Sequence, residues 1–205
     1  MAVTKELSGI VLLRDLAGDR FLRIRIFDHL CGLKSVLFPL PDKKGKNSSP
    51  PDLLDDINCS LKPTKTLSSI PVVAEFQRVQ TYRELASDPE IFLTASQIAR
   101  FFLNNGEHLL EPAPRLKLLR LSLNSFARAK IPQVVLVKLY YCFARDEGLP
   151  VRESWFAGLP KNMAEDTYVI LHQPVDQATI ELNKVHQIIE SLKNWMNSET
   201  ELSVS

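Results

Sequence analysis

Cysteine is scarce in this chain of 205 residues, which contains only Cys31, Cys59 and Cys142. No two of them form a CxxC pair, so the sequence predicts neither a disulfide framework nor a zinc ribbon, and free buried thiols are expected. No apolar run approaches the roughly twenty residues that a membrane span needs, and residues 1–6 contain no apolar signal core. These absences favour a soluble protein of a reducing compartment, with no metal, cofactor or membrane partner.

Motifs of enzymes are missing as well. The histidines lie in unrelated contexts without HxxxH or HExxH spacing, and the signatures GxSxG, GxxxxGK[ST] and GxGxxG do not occur. Asp55 and Asp56 are adjacent, but neighbouring residues on a strand point to opposite faces. We therefore interpret them as loop or strand-edge charges rather than a metal pair, and no enzymatic function is expected.

An overall excess of one charge is also missing, because the formal net charge is only +1. The protein is therefore not a uniformly basic nucleic-acid coat, and a site for a polyanion must be local. Residues 20–46 show such a concentration, with seven basic residues against Asp28 and Asp42.

Five short runs within the first eighty residues are typical of β-strands. They span 7–14, 20–27, 32–38, 57–61 and 70–77, and a proline-containing loop separates the third from the fourth. So many short strands in such a short segment match a small closed barrel better than a sandwich. The sequence therefore predicts a five-stranded OB-fold barrel over residues 1–79.

The second of these strands combines arginine and phenylalanine on one face. With the two-residue period of a strand, one face is aliphatic and the other alternates between these two residue types. The residues of the second face are Phe21, Arg23, Arg25 and Phe27. Such a face suits a polyanion with bases that stack on aromatic rings. It also suits an ordinary barrel exterior whose phenylalanines pack on the helical half, and both interpretations are open.

Further cations lie near this strand, including a lysine loop that is either part of the same site or a solvated surface. The full set of candidate DNA-binding residues is Arg14, Arg20, Phe21, Arg23, Arg25, Phe27, Lys34, Lys43, Lys44 and Lys46.

After residue 80 the apolar period changes to that of α-helices. Helices are predicted over 88–105, with Asp88 as the N-cap, and over 114–130, 132–148 and 176–196, whereas 149–174 is less regular. The chain is therefore predicted to be α+β, with a helical domain over residues 80–205. The second helix carries a row of basic residues that forms either a DNA-facing wall or the solvated side of an amphipathic helix.

Short motifs carry a resemblance to a known family. They are Gly9-Ile10-Val11-Leu12 in the first strand, Ala17-Gly18-Asp19-Arg20 in the following turn, Cys31-Gly32-Leu33 before the third strand, the basic loop after it, and the segment 138–150. In their order and position these parts resemble the RecO family of bacterial DNA repair and recombination proteins.

The resemblance implies a cytoplasmic, nucleoid-associated mediator of recombinational repair that is not an enzyme. Proteins of this family bind single- and double-stranded DNA, anneal complementary strands and help to load recombinase onto DNA covered by single-stranded-DNA-binding protein. Their partners include the mediator RecR and the acidic C-terminal tail of single-stranded-DNA-binding protein. The candidate residues for that tail in this chain are Arg115, Lys117 and Arg120.

The chain also departs from this family. Many members carry a four-cysteine zinc site after the segment equivalent to 148–150, where this chain has Val151-Arg152-Glu153-Ser154-Trp155-Phe156. No zinc is therefore expected, and apolar packing by Trp155 and Phe156 is predicted to replace it. The alternative function is an OB-containing protein-interaction adaptor without DNA affinity of its own, whose binding would depend little on salt.

Overall fold

The computed structural model describes residues 6–40, 49–63, 70–107 and 109–204. These residues form two compact units. The sheet unit comprises the described parts of Met1–Glu84 and Asn105–Leu116, and the helical unit comprises Leu85–Asn104 and the described part of Lys117–Ser205. The lysine loop predicted at Lys43, Lys44 and Lys46 lies outside the described residues.

The sheet unit contains a five-stranded antiparallel sheet in the order β3-β2-β1-β4-β5. The strands are β1 (Glu6–Ala17), β2 (Phe21–Asp28), β3 (Gly32–Pro39), β4 (Asp56–Leu61) and β5 (Val73–Gln80). A parallel bridge between Leu37 and Val72 brings the two edges of the sheet together at one point. The ladder does not extend beyond this bridge in the described residues. The predicted α+β class, with an OB-like barrel followed by helices, is confirmed, but the sheet is not closed.

Aliphatic side chains on alternate positions of the strands form the core of the sheet unit. Ile24 and Ile26 of β2 pack with Val11 of β1 and Val36 of β3, and all four are inaccessible to solvent. Each such side chain stabilises the fold by about 1.5–3 kcal/mol on burial. Cys59 belongs to the same cluster as a free thiol, and burial raises its pKa to about 11.

Five α-helices follow the sheet in the part of the chain that the structure describes. They are α1 (Pro89–Asn105), α2 (Pro112–Ser125), α3 (Pro132–Asp146), α4 (Lys161–His172) and α5 (Leu182–Glu199). Asp88 caps α1 as predicted, because its Oδ1 accepts hydrogen bonds from the backbone N–H groups of Glu90 (2.9 Å) and Ile91 (3.2 Å). A short π-helical segment, Val151–Trp155, lies between α3 and α4.

The helical unit is organised around α3, which is buried on most of its surface and packs against α4 and α5. Aromatic rings fill its core: the Phe101 ring centroid lies 4.7 Å from that of Phe143 and 5.0 Å from that of Tyr140. Trp155 is buried in this unit, and its indole N–H donates to Ser191 Oγ at 3.1 Å. That Trp155 and Phe156 replace a zinc site stays a prediction.

Three helix predictions are wrong. The second helix was predicted to continue to residue 130, but α2 ends at Ser125. The segment expected to be irregular contains α4, which begins directly after Pro160. Pro160 is the N-cap residue of α4, so this proline marks the start of a helix and does not interrupt one. The last helix begins at Leu182 with Glu181 as its N-cap, not near residue 176.

Candidate nucleic-acid interface

Strand register places Arg23 and Arg25 on the outer face of the sheet. Arg23 is paired with Leu37 of β3, and Arg25 with Ser35, whereas the intervening Ile24 is paired with the buried Val36. Directly paired residues of an antiparallel ladder lie on the same side. The prediction that these two arginines share a solvent-side face is therefore confirmed.

Arg23 is paired with an acid on the neighbouring strand. It lies opposite Asp15 of β1, and its Nε donates to Asp15 Oδ2 at 3.0 Å, with a second contact from Nη2. This hydrogen bond and the nearby charge raise the pKa of the Arg23 guanidinium above its ordinary value. The Arg23 side chain is still 47% exposed, so another anion can approach it.

Arg25 is paired with an acid from the loop that follows α1. Its Nη2 contacts Oε1 of Glu107. Glu107 is 82 positions further along the chain, and both residues belong to the sheet unit. The outer face of β2 therefore presents two guanidinium groups that each already have a carboxylate partner.

Two of the other predicted cations, Arg14 and Lys34, do not extend this face. Arg14 is paired in register with Ile24 and Lys34 with Ile26, so both point to the opposite side of the sheet. Lys34 is exposed, and Arg14 forms an ion pair with Asp52. Arg20 is exposed in the β1–β2 turn. The candidates Arg14 and Lys34 therefore do not share a face with Arg23 and Arg25, because strand alternation separates them.

The two phenylalanines of the predicted face differ in their exposure to solvent. Phe21 is half-buried, whereas Phe27 has 0% exposure. The cross-strand neighbours of Phe27, Ile10 and Leu33, are buried as well, so both faces of the sheet are covered at this end. The expectation that Phe27 lies on an exposed face is wrong, because alternation predicts exposure only where one face meets solvent.

The candidate residues for an acidic tail lie on α2 in different surroundings. Arg115 is only 7% exposed, which corrects the expectation of an accessible cation there. Lys117 is exposed and Arg120 is half-buried.

A cluster that the sequence patterns did not indicate lies at the start of β4. Asp55 is fully buried, and its Oδ2 accepts hydrogen bonds from Arg78 Nε and from the backbone N–H of Asp52, both at 2.7 Å. Arg78 also donates to the carbonyl oxygen of Pro50 at 2.6 Å. Asp55 lies in the loop before β4 and Asp56 is the first residue of β4, as the interpretation of loop or strand-edge charges has it, but both are buried, which was not predicted. A buried carboxylate needs a cationic partner, and Arg78 supplies it.

The sequence patterns also did not indicate a cavity of about 920 Å³ in the helical unit. It lies beside α3 and α4, and Tyr141, Cys142, Arg145 and Tyr168 contribute to its lining. At its edge Lys138 Nζ donates to the carbonyl oxygen of Gln173 at 2.8 Å, and burial lowers the pKa of Lys138. The residues predicted for partner binding on α2 do not line it.

Two further observations concern metal ligands and membrane-spanning helices. In the part of the chain that the structure describes, no three acidic, histidine or cysteine side chains are grouped as metal ligands. None of the described helices is both long enough and apolar enough to cross a membrane. No protein-family model matches the chain, and no curated protein matches it either.

Proposed function

We propose that the protein is a DNA-binding mediator of recombinational repair, of the kind that the RecO resemblance implies. The observation that carries the proposal is the position of Arg23 and Arg25 on the outer face of β2, within an OB-like strand order. In OB-folds the outer surface of strands 2 and 3, together with the β1–β2 loop, is a common site for oligonucleotides. Phe21 is the first residue of the same strand, and Arg20 precedes it in the β1–β2 turn.

Binding at this face would be mainly electrostatic. Phosphates would replace Asp15 and Glu107 as the partners of the two arginines, and cations condensed on the DNA would be released. Phe21 is half-buried, so part of its side chain is open to contact with a base. Stacking of a base on an aromatic ring contributes roughly 1–3 kcal/mol.

The remaining parts of the proposal follow from the resemblance. A surface that neutralises two strands at once would favour annealing of complementary strands, because it screens their repulsion. The proposed partners are a RecR-like mediator and the acidic C-terminal tail of single-stranded-DNA-binding protein, and the proposed location is the bacterial cytoplasm at the nucleoid. Lys117 and Arg120 are the remaining candidates for the tail.

The test is fluorescence anisotropy of a labelled single-stranded oligonucleotide at several salt concentrations. The variant is Arg23→Gln/Arg25→Gln, and the matched control is Arg100→Gln/Arg152→Gln, which removes two exposed arginines of the helical unit. We expect the first variant to bind several-fold more weakly and to lose about 0.7 from the salt slope for each lost phosphate contact. Equal losses in both variants would contradict the proposed site.

A specific observation favours the adaptor as a second candidate. Arg23 and Arg25 are already neutralised by carboxylates, and Phe27 is buried, so the face is less cationic and less aromatic than its sequence suggests. If the wild-type protein does not bind the oligonucleotide even at low salt, the adaptor is the better account.

A further inference from the structure

The loop that follows α1 lies against the β2–β3 hairpin and is held there by its backbone. The Leu33 N–H donates to the Gly106 carbonyl oxygen at 2.9 Å. Gly32 has a φ of +65°, and a Cβ placed on it would lie 2.5 Å from the same oxygen. Only glycine permits so close an approach in this conformation. The position of the loop is therefore set by contacts that do not depend on the charge of its side chains.

Glu107 follows Gly106 on this loop and pairs with Arg25. The contact involves one guanidinium nitrogen, Nη2. Arg25 Nε is buried and has no hydrogen-bond partner among the described residues. A guanidinium can donate two parallel hydrogen bonds to a carboxylate or a phosphate. Because Nε is buried, a phosphate would meet Arg25 at the Nη end of the guanidinium, which is the end that Glu107 contacts.

From this geometry we infer that Glu107 is a built-in competitor for the phosphate at Arg25 and thereby lowers the affinity of the nucleic-acid face for DNA. The inference rests on the proposed function. In the free protein the carboxylate occupies Arg25, and a bound phosphate takes its place while the backbone of the loop stays on the hairpin. The Glu107 side chain is 55% exposed, so it has room to turn into solvent.

Competition of this kind selects ligands with several phosphates. Exposed ion pairs are weak, so a strand that contacts several cations at once displaces Glu107, whereas a single inorganic phosphate does not. An isolated carboxylate does not condense counterions as a polyanion does, so the release of Glu107 leaves the number of cations released from the DNA unchanged. A protein without this carboxylate should therefore bind more tightly, with a salt slope close to that of the wild type.

The experiment compares Glu107→Gln with Glu111→Gln. Glu111 is exposed and belongs to the same unit, so its replacement changes the net charge equally without touching the pair. Binding of a labelled oligothymidylate is measured by anisotropy over a range of salt concentrations. We expect Glu107→Gln to bind about two- to five-fold more tightly at low salt, with a salt slope close to that of the wild type, and Glu111→Gln to stay close to the wild type in affinity. In the Arg25→Gln background the gain from Glu107→Gln should disappear.

Other results overturn the inference. Equal gains in the two glutamate variants would show that net charge alone acts, and a gain that persists without Arg25 would show that Glu107 acts elsewhere. Both leave the proposed function intact if the wild type still binds with a salt-dependent affinity. Absence of binding by the wild type and all variants at low salt overturns both together. Circular dichroism checks the fold, and Glu107→Ala provides a second variant for the same comparison.

Discussion

Two ion pairs of the sheet unit have the same chemistry and opposite surroundings. Arg78 and Asp55 meet where the Asp55 side chain has 0% exposure, and Arg23 and Asp15 meet on a solvated face where both side chains are at least one-third exposed. A buried charge that loses its partner cannot be solvated, whereas an exposed one turns to water. Burial therefore makes the Arg78–Asp55 pair a part of the fold. Exposure, in contrast, leaves the Arg23–Asp15 pair replaceable by a ligand.

Arg25 and Glu107 lie between these extremes. The Arg25 side chain is 25% exposed and Glu107 is more than half exposed. The loop is positioned by backbone contacts, while the charged side chain at its surface stays free to exchange partners. Backbone contacts therefore hold the loop in place, whereas the Glu107 side chain neutralises Arg25. Three sets of variants test this distinction between structural contacts and replaceable ion pairs.

The largest effect is expected for Arg78→Met, which leaves the Asp55 carboxylate buried without its cation. Removal of one member of a buried pair costs about 3–5 kcal/mol, and partial exposure of Arg78 favours the lower end. The free energy of unfolding is measured in urea by circular dichroism. The fluorescence of Trp155 and Trp195, both in the helical unit, reports separately on that unit.

Arg23→Met is the matched control, because it removes an arginine of the same sheet from an exposed pair. Its cost should not exceed about 1 kcal/mol. Similar losses in the free energy of unfolding for Arg78→Met and Arg23→Met would contradict the assignment of a structural role to the first arginine and a replaceable pair to the second.

An intermediate effect is expected for Gly32→Ala, measured against Gly18→Ala. Both glycines have positive φ, +65° and +69°, but an added Cβ meets the Gly106 oxygen only at Gly32, and nothing within 4 Å at Gly18. The conformational cost of about 1–2 kcal/mol is therefore common to both, and the difference isolates the contact with the loop. We expect Gly32→Ala to lose at least about 1 kcal/mol more.

Hydrogen exchange of the Leu33 amide checks the same substitution locally, because that amide is bonded to Gly106. Faster exchange in Gly32→Ala, with no change in Gly18→Ala, is the expected result. Unchanged protection of Leu33 would mean that the loop does not depend on the glycine.

The smallest effect on stability is expected for Asp15→Asn, which removes the acid opposite Arg23. The free energy of unfolding should change by less than about 1 kcal/mol. Binding of single-stranded DNA should become tighter, because the Arg23 guanidinium loses its competing carboxylate. Titration of the labelled oligonucleotide tests this, with Asp19→Asn in the exposed β1–β2 turn as the control. Weaker binding by Asp15→Asn would contradict a role for Arg23 in phosphate contact.

Much of the fold follows from local patterns. The alternation in β2 predicts which of its residues face the core, and Asp88 with Pro89 marks the start of α1. The segment 161–172 escaped prediction because prolines and a glycine surround it, and these residues punctuate loops as well as helix starts. The burial of Asp55 was not predicted, because a charged residue in the sequence carries no sign that an arginine 23 positions later will neutralise it in the interior.

The sequence by itself determined that Arg23 and Arg25 share one face, because the two-residue period of a strand is a property of the backbone. It also determined an OB-like sheet followed by helices. Only the tertiary structure decided that Phe27 is buried, that Arg78 neutralises Asp55 and that Glu107 meets Arg25. The physical reason is that burial and charge pairing depend on groups distant in the chain, which folding alone brings within contact.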